Sequence, residues 1–121
     1  MSLSLKPLAD ALGIQATGVD LSSSVSEEIV DALKDALRDN LLLVIRDQHL
    51  SAAQYLAAVR LFGETMEQHL SDLLMEEHPE IAVLDSRNSP VGNDGRGIPL
   101  GSKDWHTDHT NHAKPPKMTA M

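Results

Sequence analysis

The nine residues "DWHTDHTNH" (Asp104–His112) hold three histidines and two aspartates beside the chain's only tryptophan, Trp105. Imidazoles and carboxylates crowded at this spacing can make a metal site, a proton relay or a solvated polar loop. Within the stretch, His106 and Asp108 stand two positions apart. On an extended segment such residues project to one face, so an imidazole nitrogen and a carboxylate oxygen aim at one point. The mixed nitrogen and oxygen pair suits a borderline divalent cation. It is also two-thirds of the 2-His-1-carboxylate facial triad that holds non-haem Fe(II). His-x-Asp alone is equally at home in a bland surface loop, so the flanking chain must discriminate. His109 lies an odd number of positions from His106 and on a strand would face the other way. His109 and His112 both read as loop histidines near the mouth of a site. A Zn(II) hydrolase site built from His106, Asp108 and His112 is a weaker alternative.

The bulk composition narrows the field. A chain of 121 residues is the size of one domain, and residues 1–121 are expected to form one. With 2% aromatic residues, the core must be built from Leu, Val, Ile, Ala and Met. The formal net charge of −8 argues against nucleic acid as a partner, because phosphate neutralisation needs a basic face. There is no cysteine, hence no disulfide framework and no thiolate metal site. The opening "MSLSLKPLADALG" has no signal-like apolar region, and no run approaches the roughly 18 apolar residues of a membrane span. A soluble cytoplasmic protein with no membrane partner is expected, and a homo-oligomer is compatible with the composition.

Upstream of the motif, "LKPLADALGIQATGVDLSSS" reads as one or two short strands with turns. In "SVSEEIVDALKDALRDN", Ser24 and Glu27 have capping-box spacing. Ile29, Leu33, Ala36 and Leu37 recur at helical spacing, Glu27 and Glu28 suit the positive end of the dipole, and Asn40 closes the helix. Leu41–Ile45, "LLLVI", looks like a strand buried on both faces. Ser51 and Gln54 form a second capping box, opening a helix through Ala52, Leu56, Val59 and Phe62 to a stop at Gly63. "HLSDLLMEEHPE" is ambiguous, with a short helix ended by Pro79 as one reading. "IAVLD" is a third buried-strand candidate. About nineteen residues, Asp85–Lys103, then carry Pro90, Pro99, Gly92, Gly95, Gly97 and Gly101. A loop of that length is uncommon in a compact domain unless it is a lid, a binding loop or disordered. The terminal "KPPKMTAM" resembles the start of another strand, which suggests part of a longer protein.

Taken with this context, "WHTDHT" resembles the Trp-His-x-Asp signature of the TauD/TfdA family, the taurine dioxygenase-like Fe(II)/2-oxoglutarate-dependent oxygenases. "GIQATGVDLS" resembles the family's opening glycine–aspartate strand, and "LLLVIRDQHLS" its strand and Arg-Asp-Gln turn. "RLFGE" resembles its Phe-Gly helix end, and "EIAVLDS" the strand before its variable loop. These pieces occur in family order over nearly the whole chain. The resemblance implies an α+β fold, the N-terminal part of a double-stranded β-helix (jelly roll) flanked by helices. It implies Fe(II) as cofactor, with 2-oxoglutarate and O2 as co-substrates. The reaction would hydroxylate a small, anionic substrate, such as a sulfonate or an aryloxy or alkyl acid, and yield succinate and CO2. His106 and Asp108 match the first two iron ligands, and Trp105 matches the aromatic before them, in a packing role. The third ligand, a distal histidine, and the arginine and threonine that hold 2-oxoglutarate have no counterpart here. The 121-residue chain alone is therefore expected to be inactive.

His69 lies near the position of a substrate-contacting histidine in such proteins. Asn88 and Ser102, within the expected lid 85–103, are further candidate substrate contacts, as is His109. His49 and His78 flank turns and read as solvated. Arg46 and Asp47 read as a structural turn pair, and the acidic helix 27–39 as a solvated face. The rival reading is a truncated or degenerate member of the family, acting as a binding or assembly module without catalysis.

Overall fold

A computed structural model describes residues 2–67, 73–85, 87, 89–97 and 104–121. The chain divides into two compact units, Met1–Thr65 and Met66–Met121.

In the first unit, strand β1 (Ser4–Pro7) runs antiparallel to β2 (Ile14–Thr17), with Ser4 opposite Thr17 and Pro7 opposite Ile14. Strand β3 (Leu43–Ile45) pairs with β2 in parallel, Ile14 opposite Leu43 and Ala16 opposite Ile45, so the order is β1-β2-β3. Parallel neighbours need a crossover, and helix α1 (Glu27–Asn40) supplies it, lying against β2 and β3. The alternation of a strand with one covered face appears on β2, where Ile14 and Ala16 are buried between less buried neighbours. Val30, Leu33 and Ala36, at helical spacing on α1, complete that core, with Leu33 fully enclosed. Every residue of β1 is exposed, and Pro7 sits on this edge strand, where a missing amide costs nothing.

Several expectations shift at this level. The helix is capped by Ser26 rather than Ser24. The Ser26 hydroxyl accepts from the Ile29 amide at 3.4 Å, which still leaves Glu27 and Glu28 in the first turn. At the other end Asn40 belongs to the helix, its Nδ2 donating to the Ala36 carbonyl at 2.9 Å. Leu41 forms the cap in a left-handed conformation, φ 66°. The apolar run 41–45 consequently supplies only three strand residues, all half-buried, while Leu41 and Leu42 are exposed.

Helix α2 (Ala52–Arg60) forms on the expected capping box. The Gln54 amide donates to the Ser51 hydroxyl at 3.3 Å, and the Ser51 amide to Gln54 Oε1 at 2.9 Å. Leu56 and Ala58 are its buried positions. It ends at Arg60, not at Phe62: the Leu61 and Phe62 amides reach back only three residues, to Ala58 and Val59, in a tightened last turn. The turn after β3 is structural, as expected of Arg46 and Asp47. Arg46 donates from its amide to the Ala16 carbonyl at 3.1 Å and from Nε to Gln15 Oε1 at 3.0 Å. Gln48 clips this turn to the β2–α1 connection. Its Oε1 accepts from the Leu21 amide at 2.8 Å, and its Nε2 donates to the Val19 and Arg46 carbonyls at 2.8 and 2.7 Å.

In the second unit "IAVLD" is not a buried strand. It contributes one antiparallel bridge, Ala82 with Leu74, flanked by bonds from Met75 N to Ile81 O at 3.0 Å and from Val83 N to Leu73 O at 2.7 Å. A strand buried on both faces needs covering layers and a ladder on each edge. Among the described residues it has one bridge, and Val83 and Leu84 are exposed. Of "HLSDLLMEEHPE", the described part from Leu73 enters this hairpin rather than a helix. The glycine-rich stretch holds a second hairpin, closed by a Val91–Gly97 bridge. There the Gly92 amide donates to Arg96 O at 2.8 Å, and Gly95 takes φ 75°. The tail "KPPKMTAM" is irregular rather than a strand: Pro115 and Pro116 carry no amide for a ladder, and among the described residues it pairs with none. The three-stranded sheet is the one sheet of named strands among the described residues; helices and strands are mixed as expected.

Candidate metal centre

The motif 104–112 is a series of turns rather than an extended strand. His109 has φ 51°, and the His112 amide donates to the His109 carbonyl at 3.0 Å. The two side chains of interest converge nonetheless. Nε2 of His106 lies 3.2 Å from Oδ1 of Asp108, with the side chains 49% and 40% exposed.

Each group is gripped at its far end. Nδ1 of His106 is 2.7 Å from the Asp104 carbonyl oxygen. A carbonyl can only accept, so Nδ1 carries the proton in this bond. Oδ2 of Asp108 accepts from the Thr119 hydroxyl at 2.6 Å, the short distance of a hydroxyl on a charged carboxylate. These contacts set the charges. The bond to the Asp104 carbonyl, chiefly, raises His106 above the ordinary imidazole pKa, and the Asp108 carboxylate adds to it. The Thr119 hydroxyl, chiefly, holds Asp108 below the usual carboxylate range, and His106 adds to that.

With the ring proton committed to Asp104, a neutral His106 presents a bare lone pair to an anionic oxygen. Two acceptors at that range repel, so something positive belongs between them: a second proton, giving imidazolium, or a metal ion. Adjacent ligands on one cation, each roughly 2.1 Å from it, stand about 3.0 Å apart when they subtend a right angle. The observed separation of 3.2 Å fits. The donor set fits too, since an imidazole and a carboxylate suit Fe(II) or a similar divalent ion.

Among the described residues, His109 and His112 do not join them. The His109 and His112 rings meet edge to face, centroids 5.2 Å apart and planes at 81°. Among the described residues no group of three His, Cys, Asp or Glu side chains is placed to hold a metal, so the zinc site of His106, Asp108 and His112 is not formed. Trp105 is fully exposed, so among the described residues nothing covers the indole, and the packing role implied for it would need a surface beyond them. His69, Asn88 and Ser102 lie outside the described residues. Thr119 was missed by sequence reasoning. Nothing in an apolar tail singles out one hydroxyl, and its partner is eleven positions away.

A model of the family described as Taurine catabolism dioxygenase TauD, TfdA family matches residues 4–121. Pentalenolactone F synthase of Streptomyces avermitilis is 26% identical over 112 residues, 92% of this chain and 36% of that protein. The enzyme of the same name from Streptomyces arenae is 27% identical over 111 residues, covering 91% and 36%. The chain thus spans little more than a third of these curated relatives. Among solved structures, a protein from Burkholderia xenovorans assigned as an alpha-ketoglutarate-dependent taurine dioxygenase is similar. It aligns with a TM-score of 0.61 and 28% identity over 64% of this chain and 28% of its own. The crystal structure of AAD-2 in complex with Mn(II) and N-oxalylglycine aligns at TM-score 0.51 and 23% identity, over 54% and 26%; at that identity the likeness is one of fold.

Proposed function

The chain belongs to the TauD, TfdA family, and from that premise we propose that it is the metal-binding N-terminal portion of an Fe(II)- and 2-oxoglutarate-dependent dioxygenase. The observation that carries this reading is the Nε2–Oδ1 pair of His106 and Asp108, 3.2 Å apart, with the imidazole proton turned away onto Asp104. When bound, iron would supply the oxidative chemistry, in which 2-oxoglutarate and O2 yield succinate and CO2 while a substrate C–H becomes C–OH.

This chain's residues do the holding. His106 Nε2 and Asp108 Oδ1 are the protein ligands it provides. The Asp104 carbonyl keeps the His106 ring in the tautomer whose Nε2 is free to ligate, a role that outer partners of metal-bound histidines commonly play. In this reading the loop 85–103 serves as a lid, and His69, Asn88, Ser102 and His109 are its candidate substrate contacts. The substrate is small and anionic, a sulfonate or an aryloxy or alkyl acid. The taurine dioxygenase assignment of a relative supports the sulfonate class. The third ligand and the 2-oxoglutarate anchor belong to the part of the family's length that this chain does not span, where the jelly roll is completed. The complete protein acts in the cytoplasm and is compatible with a homo-oligomer. Among the described residues no helix is long and apolar enough to cross a membrane.

Mn(II), followed by the loss of its free-ion paramagnetic resonance signal, is the test. His106→Ala and Asp108→Ala should each weaken binding at least tenfold. Affinity unchanged in either variant removes that residue from the ligand set.

A further inference from the structure

We propose that Thr119 is the positioning residue of the metal centre: its hydroxyl holds Oδ2 of Asp108, so that the carboxylate presents only Oδ1 to the cation shared with His106. The inference rests on the ligand reading above and adds a residue to it.

The geometry points this way for three reasons. The bond is short, 2.6 Å between Thr119 Oγ1 and Asp108 Oδ2, and joins residues eleven positions apart, so it is not a local turn. The terminal torsion of an aspartate is soft and nearly two-fold. With 40% of the Asp108 side chain exposed, packing alone does not fix it. Finally, the two carboxylate oxygens have separate partners, Thr119 on Oδ2 and His106 on Oδ1. Rotation about the torsion would break both contacts together. Water could hydrate Oδ2 if the hydroxyl were lost, but a mobile water does not hold the plane. The aspartate would then spend part of its time with neither oxygen at the shared point, or with both competing for it. Each ligand is thus steadied at its far end, His106 by the Asp104 carbonyl and Asp108 by Thr119. Loss of such an outer partner commonly costs about 10- to 100-fold in metal affinity.

The experiment measures Mn(II) affinity of the 121-residue chain by the same resonance signal, for the native sequence, Thr119→Val, Thr119→Ala, Thr119→Ser and Asp108→Ala. Valine keeps the shape and removes the hydroxyl; serine keeps the hydroxyl. Thr119→Val and Thr119→Ala should each bind about tenfold more weakly, and Thr119→Ser within about twofold of native. Far-ultraviolet circular dichroism should match across all of them, because Thr119 lies on an exposed irregular segment. Native-like affinity in Thr119→Val overturns the proposal, as does a Thr119→Ser variant as weak as valine. If Asp108→Ala binds as well as the native chain, the ligand reading falls and takes this inference with it. If Asp108→Ala loses binding while Thr119→Val does not, only the role of Thr119 falls.

Discussion

A Cβ built on Gly18 would collide with the Ser2 carbonyl oxygen, in a backbone conformation of φ +78°. Two independent penalties meet at this residue. A left-handed conformation costs a side-chain-bearing residue roughly 1–2 kcal/mol. Relieving the clash requires Ser2 to withdraw, which pulls on the Ser4–Thr17 end of the β1–β2 ladder. Gly18→Ala should therefore destabilise the first unit by about 2 kcal/mol or more, measured by urea unfolding. A loss under about 0.5 kcal/mol would mean that Ser2 does not approach as described. Legibility at this scale follows sequence distance. A glycine before a turn is readable as such, and His106 with Asp108 is readable because only one residue separates them. The partners that make these residues specific are remote: Ser2 for Gly18, Val19 and Leu21 for Gln48, Thr119 for Asp108. A lone sequence shows a donor's chemistry but not which acceptor the chain brings to it.

Helix α1 shows the same limit one level up. Ser24 with Glu27 and Ser26 with Ile29 are both sensible starts by local rules. Ser26 prevails in a helix that puts Val30, Leu33 and Ala36 on one buried stripe, with the Val30 amide bonded to the Ser26 carbonyl at 3.0 Å. The cap of α2 was legible because both halves of its capping box lie within four residues of sequence. "LLLVI" was misread in extent because hydrophobicity alone does not reveal that its first residue must turn the chain. Leu41 does so at φ 66° with its side chain 76% exposed, and its amide donates to the Leu37 carbonyl at 2.8 Å. Glycine is the residue such a cap favours. Leu41→Gly should raise stability by roughly 0.5–1 kcal/mol, the relief of left-handed strain less the extra freedom glycine has when unfolded. A thermal melt would register this as an increase of a few degrees. A fall in melting temperature would show instead that the leucine side chain stabilises the unit by more than its backbone costs.

At the scale of the whole chain, a formal charge of −8 favours the approach of any cation and weakens its hold as salt is added. That field is indifferent to chemistry, however. Selectivity and turnover need a closed coordination set, and here the balance is plain. Two groups converge within 3.2 Å, and among the described residues no third ligand joins them. The chain's matched residues span only 36% of the curated relatives, which are therefore roughly two and a half times as long. A cation held at two points keeps most of its positions open to water, so 2-oxoglutarate has no fixed orientation and O2 no defined place beside it. Orientation of that kind supplies a large share of an enzyme's rate advantage. The 121-residue chain given Fe(II), 2-oxoglutarate, O2 and a sulfonate such as taurine should therefore release no succinate above a protein-free control, although the same chain sequesters Mn(II) at low salt. Succinate formation that disappears in His106→Ala would contradict this, because it would mean that the residues present already complete a working centre. Metal binding without turnover would locate the missing function in the remaining two-thirds of the family's length.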